Sequence, residues 1–187
     1  MTPVTLQTLL LLFGIGFLAA NVRVAADFVR FLRRRSSALL VWPRRKPPFY
    51  GLLVAIGVAL GVLIAFNLLV RRPLPLVQLF GEGMMFLYYA YGVPLSRRIR
   101  VGFYADGIWA EGGFMPYQQI GGVSWREDSE ITLIVISKLR HLARRLVVPG
   151  DLYGAARRLL RDKVAAHDIR FTGTGLDLGD SDRRDTI

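Results

Sequence analysis

Residues 51–95 read GLLVAIGVALGVLIAFNLLVRRPLPLVQLFGEGMMFLYYAYGVPL. Residues 51–70 carry no charge over a length that crosses a hydrocarbon core at about 1.5 Å per helical residue. Residues 74–95 carry one charge, Glu82. The link RRPLP is short, and Pro73 and Pro75 stop one helix and start the next. The stretch predicts two membrane helices folded into a tight hairpin.

Outward toward the N-terminus, residues 2–22 form a third uncharged run. A signal peptide places its basic segment before the apolar run, and here the basic residues follow it. A retained anchor is therefore expected. Residues 22–35, VRVAADFVRFLRRR, extend that helix, with Phe28, Phe31 and Leu32 beside basic residues. This suits either an interfacial helix on anionic lipid heads or a solvated helix end.

Charge separates the two halves of the chain. Residues 1–100 hold thirteen Lys/Arg and two acids, and residues 101–187 hold twelve of each. The whole +11 lies beside the apolar runs, which argues for membrane topology rather than nucleic-acid binding. Eight basic residues occupy 23–50, among them Arg33, Arg34, Arg35, Arg44, Arg45 and Lys46. Arg97, Arg98 and Arg100 follow the last run, against only Arg71 and Arg72 in the hairpin link. The bias predicts spans at 2–22, 51–70 and 74–95 within a membrane region 1–98, and a cytoplasmic loop 23–50. The N-terminus then lies outside and the C-terminal half in the cytoplasm.

Within the runs, Gly57, Gly61 and Ala65 recur at four-residue spacing, as do Gly16 and Ala20. Small residues at that spacing let helix backbones approach, within the chain or against another. Glu82 needs a partner or a polar cavity, because a carboxylate in hydrocarbon costs about 2.5–3.5 kcal/mol on insertion scales. Asn67 and Gln78 are its polar company. A transport role would centre on Glu82. Tyr88, Tyr89 and Tyr91 read as an aromatic belt.

Beyond residue 98 the period changes to two. RVGFYADGIWAEGG reads as strand, turn, strand, with Asp106-Gly107 as a turn needing positive φ. Gly112 and Gly113 end the second strand, and Gly121-Gly122 mark a turn or bulge. ITLIVIS (131–137) and ARRLVVPG (143–150) are further strands. Asp151 caps an amphipathic helix that carries Arg157, Arg158 and Arg161 on its polar side. The glycines separate strands and lead into no helix, so they are turns rather than a phosphate loop.

About five short strands and one C-terminal helix make a small α+β module over 99–171. Residues 99–168, above all Pro116 to Trp125, resemble the bacterial pleckstrin-homology-like (PH-like) domains, including short membrane-anchored ones. The resemblance implies a non-catalytic module in the bacterial inner membrane that contacts proteins or lipid heads. It carries over no ligand residue. The polar tail, 172–187, is expected to be disordered or partner-bound.

No catalytic set emerges. Ser124, Ser129 and Ser137 lack a nucleophile-elbow context, and His141 and His167 suit surface positions. Glu127, Asp128 and Glu130 suit a solvated turn. The absence of cysteine removes thiolate chemistry and zinc-cysteine sites. The expected protein is a non-enzyme with no metal or cofactor, three transmembrane helices and a PH-like domain. It serves as a scaffold or accessory subunit among other membrane subunits and lipids. The alternatives are an anionic-lipid sensor, a small transporter or channel component using Glu82, and an enzyme whose site goes unrecognised. Arg33, Arg34, Arg35, Arg44, Arg45, Lys46, Arg157, Arg158 and Arg161 are the expected contacts with lipid heads or partners.

Overall fold

The computed structural model describes residues 3–70, 75–138 and 142–169. Arg71, Arg72, His141 and the tail 172–187 lie outside them. The chain has an α+β fold, divided into two compact units, 1–101 and 102–187.

In the first unit, α1 (Pro3–Arg34) is one unbroken helix of 32 residues. At helical rise it extends about 48 Å, beyond a hydrocarbon core of about 30 Å. The strand β1 (Ala38–Pro43) follows, inside the stretch read as a basic loop. Its sequence ALLVWP buries Trp42. Next come α2 (Tyr50–Val70) and α3 (Leu76–Leu87). α3 runs through a π-turn, Tyr88–Gly92, into α4 (Val93–Arg98). Pro94 explains the wide turn: it has no N–H to give, and its ring would strike the carbonyl of Ala90 in a regular helix. The Val93 N–H instead reaches the Tyr88 carbonyl, five residues back.

Two helical segments, Gln7–Ser37 and Tyr50–Val70, are long and apolar enough to cross a membrane. Their outward faces carry Leu12, Phe13, Val58, Val62, Phe66 and Leu69 in the open.

The second unit holds two antiparallel meanders. The first joins β2 (Arg100–Tyr104), β3 (Gly107–Ala110) and β4 (Gly113–Pro116). The other joins β5 (Ile120–Glu127), β6 (Ile131–Ser137) and β7 (Ala143–Val147). The Glu111 N–H donates to the Arg145 carbonyl at 2.8 Å and links the meanders. Phe103, Tyr104, Ile108, Trp109, Ile120, Leu133, Val135 and Leu146 fill the core with almost no exposure. Each such burial is worth about 1.5–3 kcal/mol. Helix α5 (Tyr153–Ala165) closes the unit, burying Ala156 and Leu160.

Two local expectations, the φ of Gly107 and the cap of α5, are corrected, and the bulge at Gly121-Gly122 is found. Gly107 does not have positive φ; positive φ falls at Gly112 (90°) and Gly113 (122°), in the next hairpin. Gly107 is required for space, since a Cβ there would stand 2.3 Å from the Met115 carbonyl oxygen. Gly121 marks a bulge, where the pairing with β6 shifts by one residue between Ile120 and Gly122. Asp151 does not cap α5. The N-cap is Leu152, and Asp151 sits in a preceding 3₁₀ turn, Gly150–Leu152.

Candidate functional site

Glu82 is 8% exposed and Asn67 4% exposed, both within otherwise apolar helices. Gln78, one turn before Glu82 on α3, donates its Nε2 to Glu82 Oε1 at 2.7 Å. Asn67, on α2, donates its Nδ2 to Glu82 Oε2 at 3.5 Å. A carboxylate accepting from two carboxamides, one across a helix interface, clamps α2 to α3. On α1, Asn21 donates its Nδ2 to the Met84 carbonyl at 3.0 Å.

Glycines set the helix spacing around this clamp. A Cβ on Gly57 would stand 3.0 Å from the Ala90 nitrogen and the Tyr89 carbonyl carbon, in the π-turn. On Gly61 it would meet Phe86 Cε2 at 2.9 Å. Ala65, next in that series, is exposed. On α1 the close approach is made by Gly14, whose added Cβ would stand 3.2 Å from the Gly81 Cα. Gly16 has nothing within 4 Å and Ala20 is half-buried, so the α1–α3 seam runs through Gly14. The four-residue pattern misses this seam because its two glycines lie in different runs. Glycine beside the buried Glu82 was the available signal. Of the three tyrosines, Tyr88 and Tyr89 stack on Phe17 at 5.3 and 5.6 Å, and only Tyr91 is exposed.

The basic residues spread along the first unit. Arg33, Arg35, Arg45 and Lys46 are exposed, while Arg34 and Arg44 are half-buried. In the second unit Arg157, Arg158 and Arg161 all face outward from α5. Arg157 donates to the Tyr153 hydroxyl at 3.5 Å, and Arg161 lies 3.8 Å from Asp162. Tyr153 packs edge-on against Trp125 and donates its hydroxyl to Glu127, which holds the phenol above its ordinary ionisation range. Asp128, in the same turn, accepts from Arg126.

The second unit also holds an open-sided cleft of about 610 Å³, lined by Ala105, Asp106, Tyr117, Lys138, His167 and Asp168. His167 adopts the left-handed conformation (φ 61°) just past α5. Its N–H reaches the Val164 carbonyl and the Asp168 N–H reaches that of Lys163, a Schellman stop that aims both residues into the cleft. Lys163 donates to Asp168 at 2.9 Å and to the Ala105 carbonyl at 3.3 Å, above the Tyr117 ring. Tyr117 donates to the Tyr104 carbonyl at 2.9 Å. Lys163, Asp168 and Tyr117 thus partner one another and the Ala105 and Tyr104 carbonyls.

Burial, then the charges of Asp168 and Asp106, raises the Tyr117 phenol far above its ordinary range. An acid raised on folding stabilises the fold fully below its unfolded pKa, near 10, and loses that contribution as pH climbs beyond it. Tyr117→Phe is expected to cost about 1 kcal/mol at neutral pH through the lost hydrogen bond. Above pH 10 the gap from wild type should narrow, because only wild type must keep a phenol neutral. Urea titrations at paired pH values measure both.

Comparison with protein-family models, with curated proteins and with solved structures gives no match to this chain.

Proposed function

We propose that the chain is a non-catalytic, three-span protein of a bacterial inner membrane that presents a cytosolic PH-like module to other membrane subunits. The observation that carries this is the pairing along α2 and the α3–α4 path. Asn67 meets Glu82 at one end, and Tyr50 lies under Arg97 at the other. The two limbs therefore run antiparallel, and the helical path from Leu76 to Arg98 extends about 34 Å at helical rise. That length matches a crossing, and one apolar limb returns beside the other.

The basic flanks favour a cytoplasmic position for 23–50 and for the second unit. The antiparallel pairings β2–β3–β4 and β5–β6–β7, followed by an amphipathic helix, support the PH-like reading. The polar cluster around Glu82 is spent on joining two helices, which favours scaffold over transporter.

The cysteine-free sequence makes topology testable with single labels. Leu74→Cys, in the hairpin link, should react with an impermeant maleimide on intact cells. Asp151→Cys should react only after permeabilisation. Labelling of Asp151→Cys on intact cells refutes the orientation. Purification through a C-terminal tag in mild detergent should then bring down membrane partners in fixed ratio. A lone chain would refute the accessory role.

A further inference from the structure

The cytoplasmic end of the hairpin carries an unused anion donor. Arg97 on α4 lays its guanidinium over the Tyr50 ring, 4.5 Å from the centroid. Stacking occupies one face of the guanidinium and leaves its in-plane N–H edge to other partners. The Arg97 Nε is buried and has no hydrogen-bond partner. Among the described residues Arg97 makes no ion pair. The first unit has only two carboxylates: Asp27, paired with Arg30, and Glu82, occupied by Gln78 and Asn67. A stacked, half-buried guanidinium with an unpartnered donor and no ion pair among the described residues is a charge that a bound anion would offset.

Tyr50, which carries Arg97, follows a basic and then an apolar stretch of sequence. Arg44, Arg45 and Lys46 lead into Pro47-Pro48, and Phe49 precedes Tyr50. Phe49 holds φ at 58°, a conformation a bulky residue avoids, and is 77% exposed. Leu52, two residues past Tyr50, is 59% exposed. A free anion has no use for Phe49 and Leu52; a phosphate bearing acyl chains has.

We propose that Arg97, stacked on Tyr50, binds the phosphate of an anionic phospholipid, with Phe49 and Leu52 against its acyl chains. The site rests on the membrane reading above and gives it a specific lipid contact. It also holds the two limbs together at the end opposite the Glu82 clamp.

The test uses the full chain in nanodiscs holding zwitterionic and anionic phospholipid in equal amounts, with retained lipids counted by native mass spectrometry. Wild type should retain anionic lipid preferentially. Arg97→Gln should weaken that retention about tenfold, the range of a charge-assisted hydrogen bond. Arg97→Lys, which keeps the charge and loses the fork, should fall between. Tyr50→Phe should bind as wild type and Tyr50→Leu should bind less. Arg126→Gln, remote in sequence and already paired with Asp128, should change nothing.

Equal retention of both lipid classes by wild type overturns the proposal, as does unchanged retention by Arg97→Gln. Inorganic phosphate that displaces the lipid at equal concentration overturns the lipid assignment in favour of a free phosphate. Alkaline extraction separates this from failure of the membrane reading. If wild type and Arg97→Gln both stay in the pellet, only the lipid site has failed. If wild type is extracted, the membrane reading itself is wrong.

Discussion

Gly107→Ala is expected to destabilise the second unit by about 3 kcal/mol, the upper range for forcing atoms into a packed core. The added methyl would stand 2.3 Å from the Met115 carbonyl oxygen, 2.6 Å from the Phe114 ring and 2.9 Å from the Pro116 Cα. A ring can rotate away, but two of the three obstacles are backbone. Gly107 pairs with Pro116 in the β3–β4 ladder, so relief means opening that ladder. Trp109, paired with Phe114 two residues on, would lose its packing with it.

Two other glycines calibrate the result. Gly112 has open space but φ of 90°, so Gly112→Ala should cost about 1–2 kcal/mol through backbone strain alone. Gly150 has open space and no positive φ, so Gly150→Ala should gain about 0.5 kcal/mol by restricting the unfolded chain. Pulse proteolysis of the full chain in urea, read on the C-terminal fragment, orders the three. If Gly107→Ala costs less than Gly112→Ala, the β3–β4 hairpin yields more easily than this packing implies.

That contrast marks what sequence could show. Asp106-Gly107 and Gly112-Gly113 look alike as letters, and hairpin turns are expected at both. Whether glycine serves a dihedral or a close approach depends on which strand lies opposite, and pairing across β3 and β4 is a tertiary fact. ITLIVIS was legible as a strand because β-branched residues fill it without a break, and it forms β6. The cap of α5 was not: Asp151 has the right chemistry, yet a 3₁₀ turn carries the chain one residue further before the helix begins. β1 was hidden by its flanks, since RRRSS before and RRK after make ALLVWP look like part of a charged loop.

In the first unit, polar residues were the most legible part. A carboxylate in an apolar run must find donors, the same runs offered Asn67 and Gln78, and both reach Glu82. Glycine seams were less legible, since periodicity within one helix does not say which face meets a neighbour. Gly16 fits the spacing and faces outward, whereas Gly14 fits no pattern and meets Gly81. Arg97 was legible as a topological charge but not as a stacked one, because Tyr50 is 47 residues away in sequence.

Gly81→Leu should produce the largest effect in the first unit, a loss of about 3 kcal/mol or more in α1 docking. A Cβ on Gly81 would stand 2.6 Å from the Leu10 carbonyl oxygen and 3.2 Å from its carbon, and α1 cannot retreat without giving up Gly14 as well. In the membrane setting proposed above, lipid offers apolar surface as good as a helix does, so close backbone contact would be most of what holds α1 to α3. Separation would also pull Phe17 from Tyr88 and Tyr89 and Asn21 from Met84. Titration with SDS in mixed micelles, followed by near-ultraviolet circular dichroism of that ring cluster, should show the shift. Gly16→Leu and Gly83→Leu, both in open space, should unfold as wild type does. If Gly81→Leu also behaves as wild type, α1 and α3 do not pack through this glycine seam. The Gly16 variant separates fold from partner. Intact unfolding with loss of copurifying subunits would assign the outward Gly16 face of α1 to an interface with another chain. Retention of every subunit would confine helix packing by glycine to contacts within this one.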